Sequence, residues 1–239
     1  MKPANLTGRE RAQYVQNMFG RIAHRYDLMN RLMTFGQDIL WRKEVIRRAA
    51  LPAQGLLLDL GSGTGDLALE AMHHQPTATA VAGDFTLEMM LVGQKRLHTS
   101  GQISPAWCGT DALNLPFPES SFDAVISGFL MRNVSDVHQA LSEQWRVLKP
   151  GGRIVILDTT RPSPNLLTPL INIHLHTIIP TLGRLLTGES EAYTYLPDST
   201  EGFLTAEQLS ARMQTAKFSQ TGFHRLNFGT IAIHWGLKA

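Results

Sequence analysis

Leu56-Leu57-Leu58-Asp59-Leu60-Gly61-Ser62-Gly63-Thr64-Gly65-Asp66 runs an apolar strand straight into three glycines, after which Leu67, Ala68, Leu69, Ala71 and Met72 cover one face of a helix. Glycine has no Cβ and reaches positive φ without penalty, so the chain can turn sharply here and bring bare backbone close to a ligand. A G-x-G-x-G string alone is often a plain tight turn. Its position between a strand and a helix predicts that a nucleotide-like cofactor lies against it.

A dinucleotide fingerprint would require G-x-G-x-x-G, and Asp66 stands where the third glycine would fall. The tighter form resembles the cofactor loop of class I S-adenosylmethionine methyltransferases. Downstream spacing agrees. Ala78 to Asp84 reads as a second strand ending in an acid, where a doubly wound fold places a carboxylate for ribose hydroxyls. Asp84 is the expected ribose ligand, with Phe85 beside it. A third strand, Ser104 to Gly109, leads to Asp111 and Ala112, and Asp111 is expected to hold the adenine amino group. Either acid alone reads equally well as a helix cap. Together, at matched strand ends, they favour a cofactor site that also takes in Gly61, Ser62, Gly63, Thr64 and Gly128.

The chain has 239 residues, 43% of them hydrophobic, enough for one globular domain with a full core. Its one cysteine, Cys108, excludes an internal disulfide and a multi-cysteine metal site and reads as a buried strand residue suited to a reducing cytosol. The nine histidines show no H-e-x-x-H-like metal spacing, and His73 and His74 read as helix surface. No signal-peptide core or transit-peptide pattern opens the chain, so its start reads as mature protein and its location as cytoplasmic. Residues 1–50 hold 10 Lys or Arg against 4 acids, and the remainder 12 against 16. A basic front end suits either a solvated helix face or peripheral contact with the anionic inner face of the cell membrane. Without basic and aromatic interleaving it does not suggest nucleic acid. A homodimer is compatible with the sequence.

Residues 9–50 read as helices broken by Gly20 and Gly36, with Val15, Met18, Phe19 and Ile22 at helical spacing: an N-terminal cap over residues 1–50. Strands near 55–60, 78–84, 104–109, 122–128 and 152–158 alternate with helices, which predicts a mainly parallel sheet for the cofactor-binding core, 51–160. Lys149-Pro150-Gly151-Gly152 reads as a sharp turn into the fifth strand. Pro162 to Gly183 contains no Lys, Arg, Asp or Glu and is dense in Leu and Ile, yet its prolines and polar residues argue against a membrane-spanning helix. It reads as a lid or interfacial element within an insertion at 161–204; its place after the fifth strand, at the sheet's carboxyl edge, favours an apolar wall for a greasy substrate over core packing. A helix from Thr205 to Ala216 and a hairpin of Gly222–Asn227 with Thr230–Trp235 complete residues 205–239.

Past the fourth strand, Phe129-Leu130-Met131-Arg132-Asn133-Val134 places an arginine and an amide where both can donate to an oxygen. With Tyr26-Asp27-Leu28-Met29-Asn30, Trp41-Arg42, Leu115-Pro116-Phe117-Pro118, Arg146 to Gly152, Tyr193-Thr194-Tyr195-Leu196 and Ala232 to Lys238, this makes the whole chain resemble the ubiquinone/menaquinone-biosynthesis C-methyltransferases, the demethylmenaquinone methyltransferases among them. The resemblance implies a Rossmann-like class I methyltransferase fold: a mainly parallel seven-stranded sheet with helices on both faces, an N-terminal helical cap and a lid after the fifth strand. It also implies methyl transfer from S-adenosylmethionine to a ring carbon of a reduced, prenylated quinone, and cofactor roles for Thr64, Asp84, Asp111 and Ala112. The chain departs from the family pattern at Gly61-Ser62, at Gly128 to Met131 and at Asp158 to Pro162.

Carbon nucleophilicity in a hydroquinone rises when an adjacent hydroxyl ionises, which at pH 7 costs about 4 kcal/mol for a phenol. A guanidinium lowers such a pKa by about one to three units. Arg132 is expected to supply it, Asn133 to orient the same oxygen, and Tyr26, Asp158, His174 or His176 to take the proton. Two other readings stand beside this one: a methyltransferase for another small hydrophobic or phenolic molecule, and a non-catalytic cofactor-binding scaffold.

Overall fold

The computed structural model describes residues 6–161 and 190–239, together with positions 169, 173, 177, 178, 180, 181 and 183. Seven strands form one sheet: β1 (Leu56–Leu60), β2 (Thr79–Asp84), β3 (Ala106–Gly109), β4 (Phe122–Gly128), β5 (Leu148–Thr159), β6 (Phe218–Leu226) and β7 (Ile231–Lys238). Their order is β3-β2-β1-β4-β5-β7-β6. The first five strands pair in parallel, and β7 runs antiparallel to both of its neighbours. This is the expected mainly parallel α/β sheet with its C-terminal hairpin. The order reverses between β1 and β4, the crevice where open α/β sheets bind ligands.

Strand residues alternate between two cores, as a pleat with a two-residue period requires when both faces are covered. Leu58, Val125, Ile154 and Ile156 enter one, with Leu141 of α6 (Val137–Val147) and Leu209 and Met213 of α8 (Ala206–Thr215). Leu57, Ile126, Val155 and Leu157 enter the other, with Trp41, Val45 and Ile46 of α3 (Asp38–Ala49) and Leu67 and Ala71 of α4 (Asp66–His74). Helix starts follow local chemistry. Asp136 accepts from the Gln139 amide ahead of α6, and Thr205 and Gln208 form a reciprocal capping box at α8.

The front end forms α1 (Gly8–Ile22), a single 3₁₀ turn at Ala23–Arg25, and α2 (Tyr26–Met33). The break expected at Gly20 does not occur. Glycine inside a helix costs only about 1 kcal/mol relative to alanine, and burial of Met18 and Ile22 outweighs it. Met18, Ile22 and Met29 make a small third core with Tyr195 of α7 (Ser190–Glu201), so α7 packs on the cap. β5 also begins earlier than expected. The Lys149-to-Gly152 turn lies inside the strand, where the register against β4 shifts between Phe122 and Ala124 and Gly151 takes φ 78°. Cys108 is half-buried rather than buried because β3 is an edge strand; His73 and His74 are exposed. Most of Pro162 to Gly183, with His174 and His176, lies outside the described residues.

Candidate active site

The carboxyl ends of β1, β2 and β4 meet under the cap and line an open cleft, about 880 Å³ with the solvent-filled mouth included. One side is built from Gly61, Gly63, Asp84, Phe85, Thr110, Asp111, Ala112 and Gly128. The other is mostly apolar, with Val15 and Phe19 of α1 and Phe129, Leu130 and Val134 after β4; Gln16, Tyr26, Asn133 and Ser135 are its polar residues.

Gly61, Gly63 and Gly65 take φ 68°, 56° and 83°, the left-handed turn that only glycine enters without strain. The loop is tied to the end of β2. The Gly61 and Ser62 amides donate to Gly83 O at 2.8 and 3.1 Å, and the Gly63 amide donates to Asp84 Oδ2 at 2.7 Å. Asp84 also accepts from the Thr86 amide at 2.7 Å. Burial raises its carboxyl pKa, against the pull of those amides. Asp59, fully buried in β1, is pushed up to about 7, first by burial; it accepts from the Ala68 amide at 3.0 Å and so holds the start of α4.

Seven of the nine expected cofactor residues line the cavity, while Ser62 and Thr64 do not. Thr64 is 2% exposed, and its hydroxyl donates to Asp27 Oδ1 at 2.7 Å. Arg96 of α5 (Leu87–Ser100) donates to Asp27 at 2.6 Å and to the Thr64 carbonyl at 3.1 Å and pairs with Asp66, which Arg42 also engages. Burial, then the neighbouring Asp66, raise the Asp27 carboxyl. This network pins the cap to the glycine loop. The sequence contained the acids and the arginines, but nothing local paired them.

Of the expected catalytic residues, Tyr26 and Asn133 face the cavity and Arg132 does not. Arg132 is 6% exposed, behind the wall, where its Nη1 donates to the fully buried Asp158 at 2.7 Å. The Arg132 amide also donates to Asp158, its carbonyl accepts from Arg11 at 2.6 Å, and its guanidinium lies 5.1 Å from the centre of the Phe129 ring. Phe129 itself holds φ 61°, an unusual conformation for a bulky residue and one that clusters at functional sites. Burial raises the Tyr26 pKa, while a hydrogen bond with Asn30 and the charges of Arg132 and Arg42 draw it back. Asp158, occupied by Arg132, does not reach the cavity.

The family model of the ubiE/COQ5 methyltransferases matches residues 7–238. The chain belongs to that family. A ubiquinone/menaquinone biosynthesis C-methyltransferase of Desulfotalea psychrophila is 43% identical over 94% of this chain and 90% of its own length. The demethylmenaquinone methyltransferase of Roseiflexus castenholzii is 41% identical over 96% of this chain and 95% of its own. Among solved structures, the [4+2]-cyclase SpnF superposes with a TM-score of 0.70 over 95% of this chain and 96% of its own at 17% identity. At that identity the likeness concerns the fold alone. This family member is therefore a methyltransferase enzyme, and a non-catalytic scaffold role is set aside.

Proposed function

We propose that this enzyme methylates a ring carbon of a reduced, prenylated quinone, of the demethylmenaquinol type, with S-adenosylmethionine as the methyl donor. The observation that carries this is the cavity's division into a donor side of glycines and strand-end acids and an apolar side that presents Tyr26 and Asn133. The donor side fits an adenosyl compound. In this reading Asp84 accepts from ribose hydroxyls and Asp111 from the adenine amino group, which is supported by their place in the cavity lining beside Gly61, Gly63 and Gly128. When bound, the donor supplies an electrophilic methyl group on a sulfonium.

The chain's own part is to hold the acceptor and shed water. Phe19, Phe129, Leu130 and Val134 take the ring and Asn133 donates to its hydroxyl oxygen; Tyr26, whose phenol burial keeps protonated, relays that hydroxyl's proton by accepting it as its own passes to water. Alignment of acceptor and donor in such a pocket supplies up to about 7 to 11 kcal/mol. Arg132 contributes from behind the wall by fixing Phe129 and the Asn133 backbone and by its charge on Tyr26. Labelled S-adenosylmethionine with demethylmenaquinol, demethoxyubiquinol-type rings and simple phenols is the decisive assay. Methyl is expected on a ring carbon of the prenylated quinol, and exclusive labelling of the simple phenols would sink the reading.

Such an acceptor is dissolved in lipid, and the cap offers a surface to meet it. Leu28, Phe35 and Leu40 are 57%, 78% and 66% exposed, with exposed Arg25 and Lys43 one turn from Leu28 and Leu40. Phe35 is held at φ 51° at the tip of the α2–α3 turn. The contact proposed is peripheral, by insertion of these apolar side chains beneath a basic rim; among the described residues no helix is long and apolar enough to cross a membrane. The protein is expected to sediment with anionic phospholipid vesicles and Phe35→Ser/Leu40→Ser to remain in the supernatant; equal sedimentation of the two would refute this surface.

A further inference from the structure

Asn133 is held at both ends of its side chain. Its Nδ2 donates to the Phe129 carbonyl at 3.0 Å, and its Oδ1 accepts from the Tyr195 hydroxyl at 3.1 Å. The Phe129 carbonyl can only accept, so it fixes which end of the amide is nitrogen; the tyrosine must then donate. Among the described residues that leaves one N–H of Asn133 uncommitted, on a residue that lines the cavity.

Tyr195 does not line the cavity. It is 4% exposed, its ring centroid lies 5.7 Å from that of Tyr14, and it packs in the small core with Met18, Ile22 and Met29. A buried phenol needs a partner for its oxygen, and the partner Tyr195 finds is the cavity amide 62 positions earlier in the chain. Phenylalanine would fill the same space. The hydroxyl is what packing does not require.

We propose that Tyr195 is a positioning residue for methyl transfer: its hydroxyl locks the Asn133 amide so that the remaining N–H is presented to the acceptor oxygen. The proposal rests on the role given to Asn133 above. It also gives a function to Tyr195, which the cavity lining itself leaves unused. Because α7 packs on α1, the lock depends on α7 and the cap being seated on each other.

The test is kinetic. Tyr195→Phe is expected to lower kcat about tenfold, the worth of one such hydrogen bond, with the S-adenosylmethionine KM unchanged. In an Asn133→Ala background the same substitution should change kcat by less than about twofold, because the group it positions is gone. Equal losses in the two backgrounds, or a normal rate for Tyr195→Phe alone, overturn the proposal. A normal rate for Asn133→Ala overturns the Asn133 role and this proposal with it, whereas a slow Asn133→Ala beside a normal Tyr195→Phe overturns this proposal alone. Nuclear magnetic resonance gives a readout free of turnover. The Asn133 side-chain amide signals, assigned by their loss in Asn133→Ala, should shift in Tyr195→Phe, and unchanged signals there refute the lock.

Discussion

Arg132→Ala is expected to lower the melting temperature by about 6 to 20 °C, the consequence of about 3 to 5 kcal/mol lost when one partner of a buried ion pair is removed. Asp158 is fully buried and accepts from the Arg132 guanidinium, the Arg132 amide and the Thr159 amide. Truncating Arg132 leaves that carboxylate in the middle of the sheet with two backbone amides and no counter-charge. Turnover should fall about a hundredfold or more as well, because Phe129 loses the cation against its ring and the turn that carries Asn133 loses its anchor; displacement of about 1 Å is enough for such a loss. The two effects separate in Arg132→Ala/Asp158→Ala. Removing the stranded charge restores part of the stability and none of the turnover. Melting and turnover close to wild type in Arg132→Ala would show that the pair holds nothing in place. A double variant that regained activity would show that Arg132 matters only for folding.

What the sequence disclosed was what neighbouring residues enforce on each other. The strand, three glycines and helix at 56–74 are a local unit, and the acids at the ends of β2 and β3 fall into the crevice because parallel strands end on one edge of the sheet. Asp84, Asp111 and Gly128 were therefore legible. Thr64 sits in the same loop but turns away from the cavity toward Asp27, a partner 37 positions earlier. Arg132 reads as a free guanidinium beside Asn133 until Asp158, 26 positions later, is brought beneath it. Gly20 and the Lys149-to-Gly152 run read as breaks because propensity is a weak prior, and packing on both sides carried the elements through them. The apolar wall was half visible. Val15 and Phe19 showed helical spacing, but only the pinning of α1, where Gln16 Nε2 donates to the Phe85 carbonyl at 2.9 Å, turns that spacing toward a ligand.

Gly93 gave no signal at all, since a glycine in mid-helix reads as a mild defect, yet Gly93→Ala is expected to cost S-adenosylmethionine affinity about a hundredfold. α5 crosses the glycine loop at this residue. A Cβ there would lie 2.4 Å from the Thr64 carbonyl oxygen, 2.9 Å from its carbon and 2.7 Å from the Trp107 ring. The near atoms are backbone, so no side-chain rotation relieves the clash, and Trp107 is itself wedged 2.6 Å from where a Cβ on Gly65 would stand. α5 must move off the loop. That shift breaks the hydrogen bond from Arg96 to the Thr64 carbonyl, and with it the network through Asp27 and Asp66 that holds the cap over the cavity. Overpacking of this kind costs about 1 to 3 kcal/mol in stability, so the fold survives while the loop is displaced. Gly101→Ala is the control. It follows the same helix at φ 65° with nothing within 4 Å of its Cβ, so it carries a backbone penalty of about 1 kcal/mol without touching the site. Calorimetry should find donor affinity lost in Gly93→Ala and retained in Gly101→Ala. Similar affinities in the two would mean that the contact between α5 and the loop does not shape the donor site.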